Sequence, residues 1–247
     1  MGRIEWASAA RVLGWVIGIG LLVGTVIRLA LSFELFGSPP PPPDNFVDRT
    51  LTYYQFATSQ WPIEFAGAAA IAIAFAATAL LAPILGRLAT DDDARGGLVM
   101  VTFLGLGGIG FAGQLLQIGA VPFITRPEVC DCGLADAELM AREVANGLVF
   151  DIQLWLIVGA LLLAVPGFLL AGSLGAAAGM PASWRWLSVM VAAASVVLAV
   201  VSVARVFPFD QYALGITAGI LVPIWAIWLA RRTRDLWADM EPDATTN

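Results

Sequence analysis

Six long apolar runs separated by short polar stretches organise the chain, at 12–33, 63–88, 98–121, 147–174, 186–207 and 212–230. A helix that crosses the hydrocarbon layer of a bilayer needs about 20 apolar residues, and each run is of that order. Lipid offers no partner to backbone N–H and C=O groups, and nothing in the runs alternates with the two-residue period of a barrel strand. All six are therefore predicted to be helices. The sequence thus predicts an all-α, polytopic membrane protein: a six-transmembrane-helix bundle forming one membrane domain over 1–247, with outer loops at 34–62 and 122–146. The first run follows Arg3 as a secretion signal would, but it is too long and no small-residue cleavage site follows, so it is expected to stay as an anchored helix.

Arginine placement sets the predicted orientation. Arg3, Arg11, Arg87, Arg95, Arg185, Arg231, Arg232 and Arg234 fall on one side if the helices alternate, against Arg49, Arg126 and Arg142 on the other. Positive loops stay in the cytoplasm, so both termini are predicted to be inside. In the first outer loop, Pro39 to Pro43 predicts a stiff, extended spacer. The aromatic group that follows, Tyr53, Tyr54, Phe56 and Trp61, reads as interfacial anchoring, with a ligand-stacking surface as the alternative. At the carboxy end, Arg231, Arg232, Arg234 and Trp237 suit the anionic cytoplasmic leaflet.

Composition narrows the chemistry. Of 247 residues 59% are hydrophobic and 13% charged, and the mean hydropathy is +0.83, far from a soluble domain. There is no histidine, and all 13 basic residues are arginine. Imidazole ligands for haem, zinc and copper are missing, and no lysine is present to form a Schiff base; no metal or cofactor is expected. The net charge is −6 and no basic stripe runs along any loop, which leaves nucleic-acid binding unsupported. An all-arginine, alanine- and glycine-rich chain suggests a GC-rich bacterial genome, and with it the bacterial plasma membrane.

Polar side chains inside the predicted helices are the candidates for function. Arg28 comes late in helix one, Glu64 early in helix two, and Gln114 and Gln117 late in helix three. Asp151 and Gln153 open helix four, Arg205 is late in helix five, and Asp210 stands just before helix six. With alternating direction all of them fall in the outer third of the membrane. A charge at mid-bilayer costs about 2.5–3.5 kcal/mol, less toward the interface, and pairing or water relieves that cost. Three arrangements follow: a structural clasp of Arg28 and Arg205 with Glu64, Asp151 or Asp210; an outward-opening polar cavity using the arginines as forked donors; or separate solvation at wet helix ends.

Glycines recur four apart at Gly14 and Gly18, Gly20 and Gly24, and Gly215 and Gly219, and three apart at Gly107, Gly110 and Gly113. This spacing lets helix backbones approach closely, and internal packing is the expected use. Cys130 and Cys132, in the second outer loop beside Glu128 and Asp131, are a candidate disulfide in an oxidising compartment. A bridge over one intervening residue closes a small, strained ring. Loop stapling or free thiols, metal capture and thiol redox chemistry all remain open for this pair.

An Ala-Arg-x-x-Gly entry to helix one (Ala10, Arg11, Gly14), the acidic Asp151 opening helix four, and the Leu170 to Gly175 turn followed by Pro181 and Trp184 resemble the six-helix bacterial membrane family known as DUF4386. The resemblance implies architecture and no catalytic residues. The function expected from the sequence is non-enzymatic: an accessory, sensory or assembly protein with an outward-facing polar cluster, its partners the lipid bilayer, other membrane subunits and a small-molecule ligand. The alternatives are a transporter of small polar or anionic solutes built on Arg28, Glu64, Asp151 and Arg205, and an extracytoplasmic thiol redox protein.

Overall fold

The computed structural model describes residues 3–41, 43–87, 94–125 and 136–238. Five continuous helices come first: α1 (Arg3–Ser32), α2 (Phe46–Gly86), α3 (Ala94–Thr125), α4 (Asp136–Ala177) and α5 (Ala182–Ala204). The sixth crossing is compound. It consists of α6 (Phe209–Ile216), one wide π turn (Thr217–Leu221) and α7 (Val222–Ala238). The wide turn lies directly before Pro223, whose missing N–H and bulky ring interrupt the regular ladder. Six helical stretches are long and apolar enough to cross a membrane, and no strand occurs among the described residues. Side chains such as Val12, Leu80, Val101, Leu162 and Val200 point outward with more than half their surface exposed, as a lipid-facing wall requires.

The helices are longer than the apolar runs. Residues 46–62, expected within the outer loop 34–62, are helical because α2 begins at Phe46 and continues through Pro62. Membrane helices accommodate proline when neighbouring groups take up the freed backbone carbonyl. Both ends of the expected loop 122–146 are likewise helical, α3 running to Thr125 and α4 starting at Asp136. At the other extreme α5 stops at Ala204, three residues short of its apolar run. Arg205 caps it in the left-handed conformation, φ 52°.

Each helix packs on its neighbours in sequence and the sixth crossing closes back on α1, giving a ring. Glycines set the spacing. A Cβ at Gly14 would stand 2.6 Å from the Ala226 carbonyl oxygen, and one at Gly24 2.7 Å from that of Gly67, so α1 lies nearly backbone to backbone against α7 on one side and α2 on the other. Gly215 and Gly219 meet Leu29 and Thr25 of α1. These contacts lie within the chain, as the spacing predicted. At Gly107 the approach to a neighbouring backbone is closest: a Cβ would lie 2.4 Å from the Ala79 nitrogen, whereas one at Gly108 would meet nothing within 4 Å. Gly107→Leu is expected to lower the thermal midpoint by an amount equivalent to about 1–3 kcal/mol, and Gly108→Leu to leave it unchanged, in circular-dichroism melts of purified protein.

The inner half of the ring is filled by aromatic side chains. Trp225 stacks on Trp184 (centroids 4.6 Å), meets Phe168 edge-on (4.9 Å) and lies over Phe103 (5.9 Å). All four are at most 3% exposed. The Trp225 indole N–H donates to Ser188 Oγ at 2.9 Å, so its one polar atom is satisfied inside the plug. Because these side chains come from α3, α4, α5 and α7, they join opposite walls of the ring.

Candidate functional site

Above the plug the ring is hollow. Two adjoining cavities of about 380 and 320 Å³ occupy the half that the arginine distribution assigns to the outside. The larger lies between α1, α2, α3 and α4, with Tyr53, Phe56 and Phe36 toward its mouth and Glu64 and Gln117 further in. The smaller is central: Leu21, Ile71, Gln114, Gln153, Leu198 and Leu214 bring all six crossings to its wall. The two share Arg28, Ile71, Gln114, Phe150 and Gln153 as a dividing ridge. On α4 the central cavity reaches Leu161, seven residues before Phe168, so about 10 Å of helix separates it from the plug.

Seven of the eight sequence candidates line these cavities. Gln117 donates from Nε2 to Glu64 Oε1 at 2.7 Å, and Gln153 donates from Nε2 to Gln117 Oε1 at 2.8 Å, a chain linking α2, α3 and α4. Asp210 accepts from the backbone N–H of Gln211 at 2.9 Å and from its side-chain amide at 3.0 Å. Arg205 pairs with Asp151, but this pair stands at the rim with more than half of each side chain exposed. Asp151 lines neither cavity; two residues from Gln153 on α4, it points another way. Arg205 also lies over the Phe150 ring, 5.9 Å from its centroid.

The full clasp does not form. Arg28 makes no hydrogen bond or ion pair among the described residues, although it lines both cavities and feels the carboxylates of Glu64 and Asp210 at longer range. Each of those carboxylates is already held by another donor. The ridge therefore presents a guanidinium with its donors unused, in a region where an unpaired charge is costly. Acceptors are unused too. Gln114 is 2% exposed and its Oε1 has no donor among the described residues; the same holds for Oε1 of Gln60, Oε1 of Gln211 and the hydroxyl of Thr25, all on cavity walls.

The sequence did not single out Thr25, Gln60 or Gln211. Thr25 is an uncharged hydroxyl in an apolar run, Gln60 falls within the expected loop, and Gln211 adjoins a charged neighbour that drew the attention. Their one legible signal was depth, which they share with the charged group. Cys130 and Cys132 lie outside the described residues, as do Glu128 and Asp131. Comparison with protein-family models, curated proteins and solved structures finds no match to the chain.

Proposed function

We propose that this chain is a non-enzymatic solute-recognition protein of the bacterial plasma membrane, an accessory or sensory subunit that takes a small polar molecule into its outer vestibule. One observation carries the reading: Arg28, with no partner among the described residues, stands on the ridge between two cavities. Unsatisfied buried groups cost about 1–3 kcal/mol each, so a molecule supplying their partners would bind with that advantage. Cavities of this size fall at the small end of the ligand-site range of about 300–1,000 Å³. The likeness to DUF4386 belongs to the same proposal and adds architecture only.

The check is a thermal-shift panel on the full chain in phosphatidylcholine nanodiscs, using acetate, phosphate, choline, glycerol, glycine and leucine as probes. A binder at 100 times its Kd stabilises the fold by about 2.7 kcal/mol, a readily measured rise in midpoint. The proposal expects at least one probe to give that rise in wild type and not in Arg28→Gln. A flat response to the whole panel, or an equal one in both proteins, contradicts it.

Transport is a second reading, favoured by the central cavity that all six crossings line above a closed aromatic plug. It predicts that proteoliposomes accumulate whichever probe binds. Binding without accumulation leaves the accessory or sensory role.

A further inference from the structure

The ligand's chemical class follows from the charge and polarity of the two cavity walls, and this step rests on the recognition proposed above. The rim pair of Arg205 with Asp151 is neutral in sum, and inside it the cavity walls carry Arg28 against two carboxylates, Glu64 and Asp210. The formal charge of these walls is thus already negative by one. A plain anion would satisfy Arg28 while deepening that imbalance, and a plain cation would leave the guanidinium donors of Arg28 unused. The walls ask for both partners at once. Arg28 needs an acceptor, whereas Glu64 on the wall of the larger cavity and Asp210 on that of the smaller can each accept a further donor.

Below the ridge the central cavity changes character. Leu21, Phe75, Ile157, Leu161 and Leu198 form an apolar pouch that reaches toward mid-membrane. These five side chains offer water no partner, and the nearest hydroxyl, that of Thr25, stands one turn above Leu21, so an apolar group is favoured there.

We infer that the ligand is a small zwitterion with an apolar side chain, an amino acid of the leucine type. Its carboxylate takes the guanidinium of Arg28, and its ammonium is drawn to the carboxylates of Asp210 and Glu64. Its side chain fills the pouch. A volume of about 320 Å³ accommodates a single amino acid.

The test is equilibrium dialysis of the full chain in phosphatidylcholine nanodiscs, with empty discs as the blank, against leucine, glycine, 4-methylpentanoate and 3-methylbutylamine. The last two are leucine without its ammonium and without its carboxylate. Leucine is expected to bind at least tenfold tighter than each of the others, since the buried side chain alone is worth about that factor over glycine. Arg28→Gln is expected to weaken leucine tenfold or more and leave 3-methylbutylamine unchanged. Asp210→Asn should weaken leucine and leave 4-methylpentanoate no weaker. Leu161→Phe, which shortens the pouch, should weaken leucine but not glycine. Binding of 4-methylpentanoate or 3-methylbutylamine as tightly as leucine overturns the zwitterion, and equal binding of glycine overturns the pouch. In either case Arg28-dependent recognition stands only if the remaining binding is lost in Arg28→Gln. If none of the four binds in an Arg28-dependent way, the zwitterion falls; should acetate, phosphate, choline and glycerol also fail, recognition itself falls with it.

Discussion

Trp225→Ala is expected to destabilise the bundle by about 3–5 kcal/mol, the largest single loss we foresee at any position. Trp225 is 1% exposed and touches aromatic rings from three other helices, so truncating it leaves a void that the rigid ring of helices closes only in part. It also removes the donor to Ser188 Oγ. In denaturant melts followed by circular dichroism, the midpoint should fall well below that of wild type, and Trp225→Phe should recover part of the difference. Trp228→Ala serves as the comparison. Trp228 is partly buried at the edge of the cluster, 6.4 Å from Trp184, and its loss should be smaller. A mild effect of Trp225→Ala would mean that the inner half of the ring is not a packed plug.

Arg28→Gln is expected to separate stability from binding in opposite directions. If the arginine were part of a structural clasp, removing it would break an ion pair and destabilise the fold. It has no such pair among the described residues, so removing its charge should relieve a desolvation cost approaching about 2.5–3.5 kcal/mol at mid-bilayer and smaller near the interface. The variant's thermal midpoint is expected to equal or exceed that of wild type. Binding of leucine should weaken by a factor of about 10–150, the loss of one charge-assisted contact worth about 1.5–3 kcal/mol. Arg205→Gln provides the contrast. Its pair with Asp151 is exposed, and such pairs contribute about 0–1 kcal/mol, so stability should change little. A marked fall in the midpoint of Arg28→Gln would restore the clasp.

How much of this the sequence disclosed varies from one feature to another, for physical reasons. Six crossings are legible because the bilayer fixes the length of an apolar run, and the glycine spacings are legible because close approach needs small residues at one helical repeat. The shared depth of Arg28, Glu64, Gln114 and Arg205 is also readable, since depth depends only on position along each run. Which side chains meet depends on the rotation of each helix about its axis, and apolar runs surrounded by lipid carry little information about rotation. Asp151 and Arg205 therefore emerge as a pair, and Arg28 as a cation without a partner among the described residues, only from the coordinates. The same blindness hid the meeting of Trp184, Trp225, Phe103 and Phe168. The helical extension of α2 back to Phe46 was masked by composition, because Thr50, Thr52, Gln55, Ser59 and Gln60 lower the hydropathy of a segment that folds as helix.

The account turns on a hollow, polar outer half of the ring above a dry inner half. It is tested most directly by cysteine accessibility in a Cys130→Ser, Cys132→Ser background. Ser202→Cys, on the wall of the central cavity and only partly buried, is predicted to react with a membrane-impermeant thiosulfonate added from the outside and to be protected by leucine, while Phe103→Cys, in the plug, stays unlabelled from either side. Failure of Ser202→Cys to react, or labelling of Phe103→Cys at a comparable rate, would contradict it.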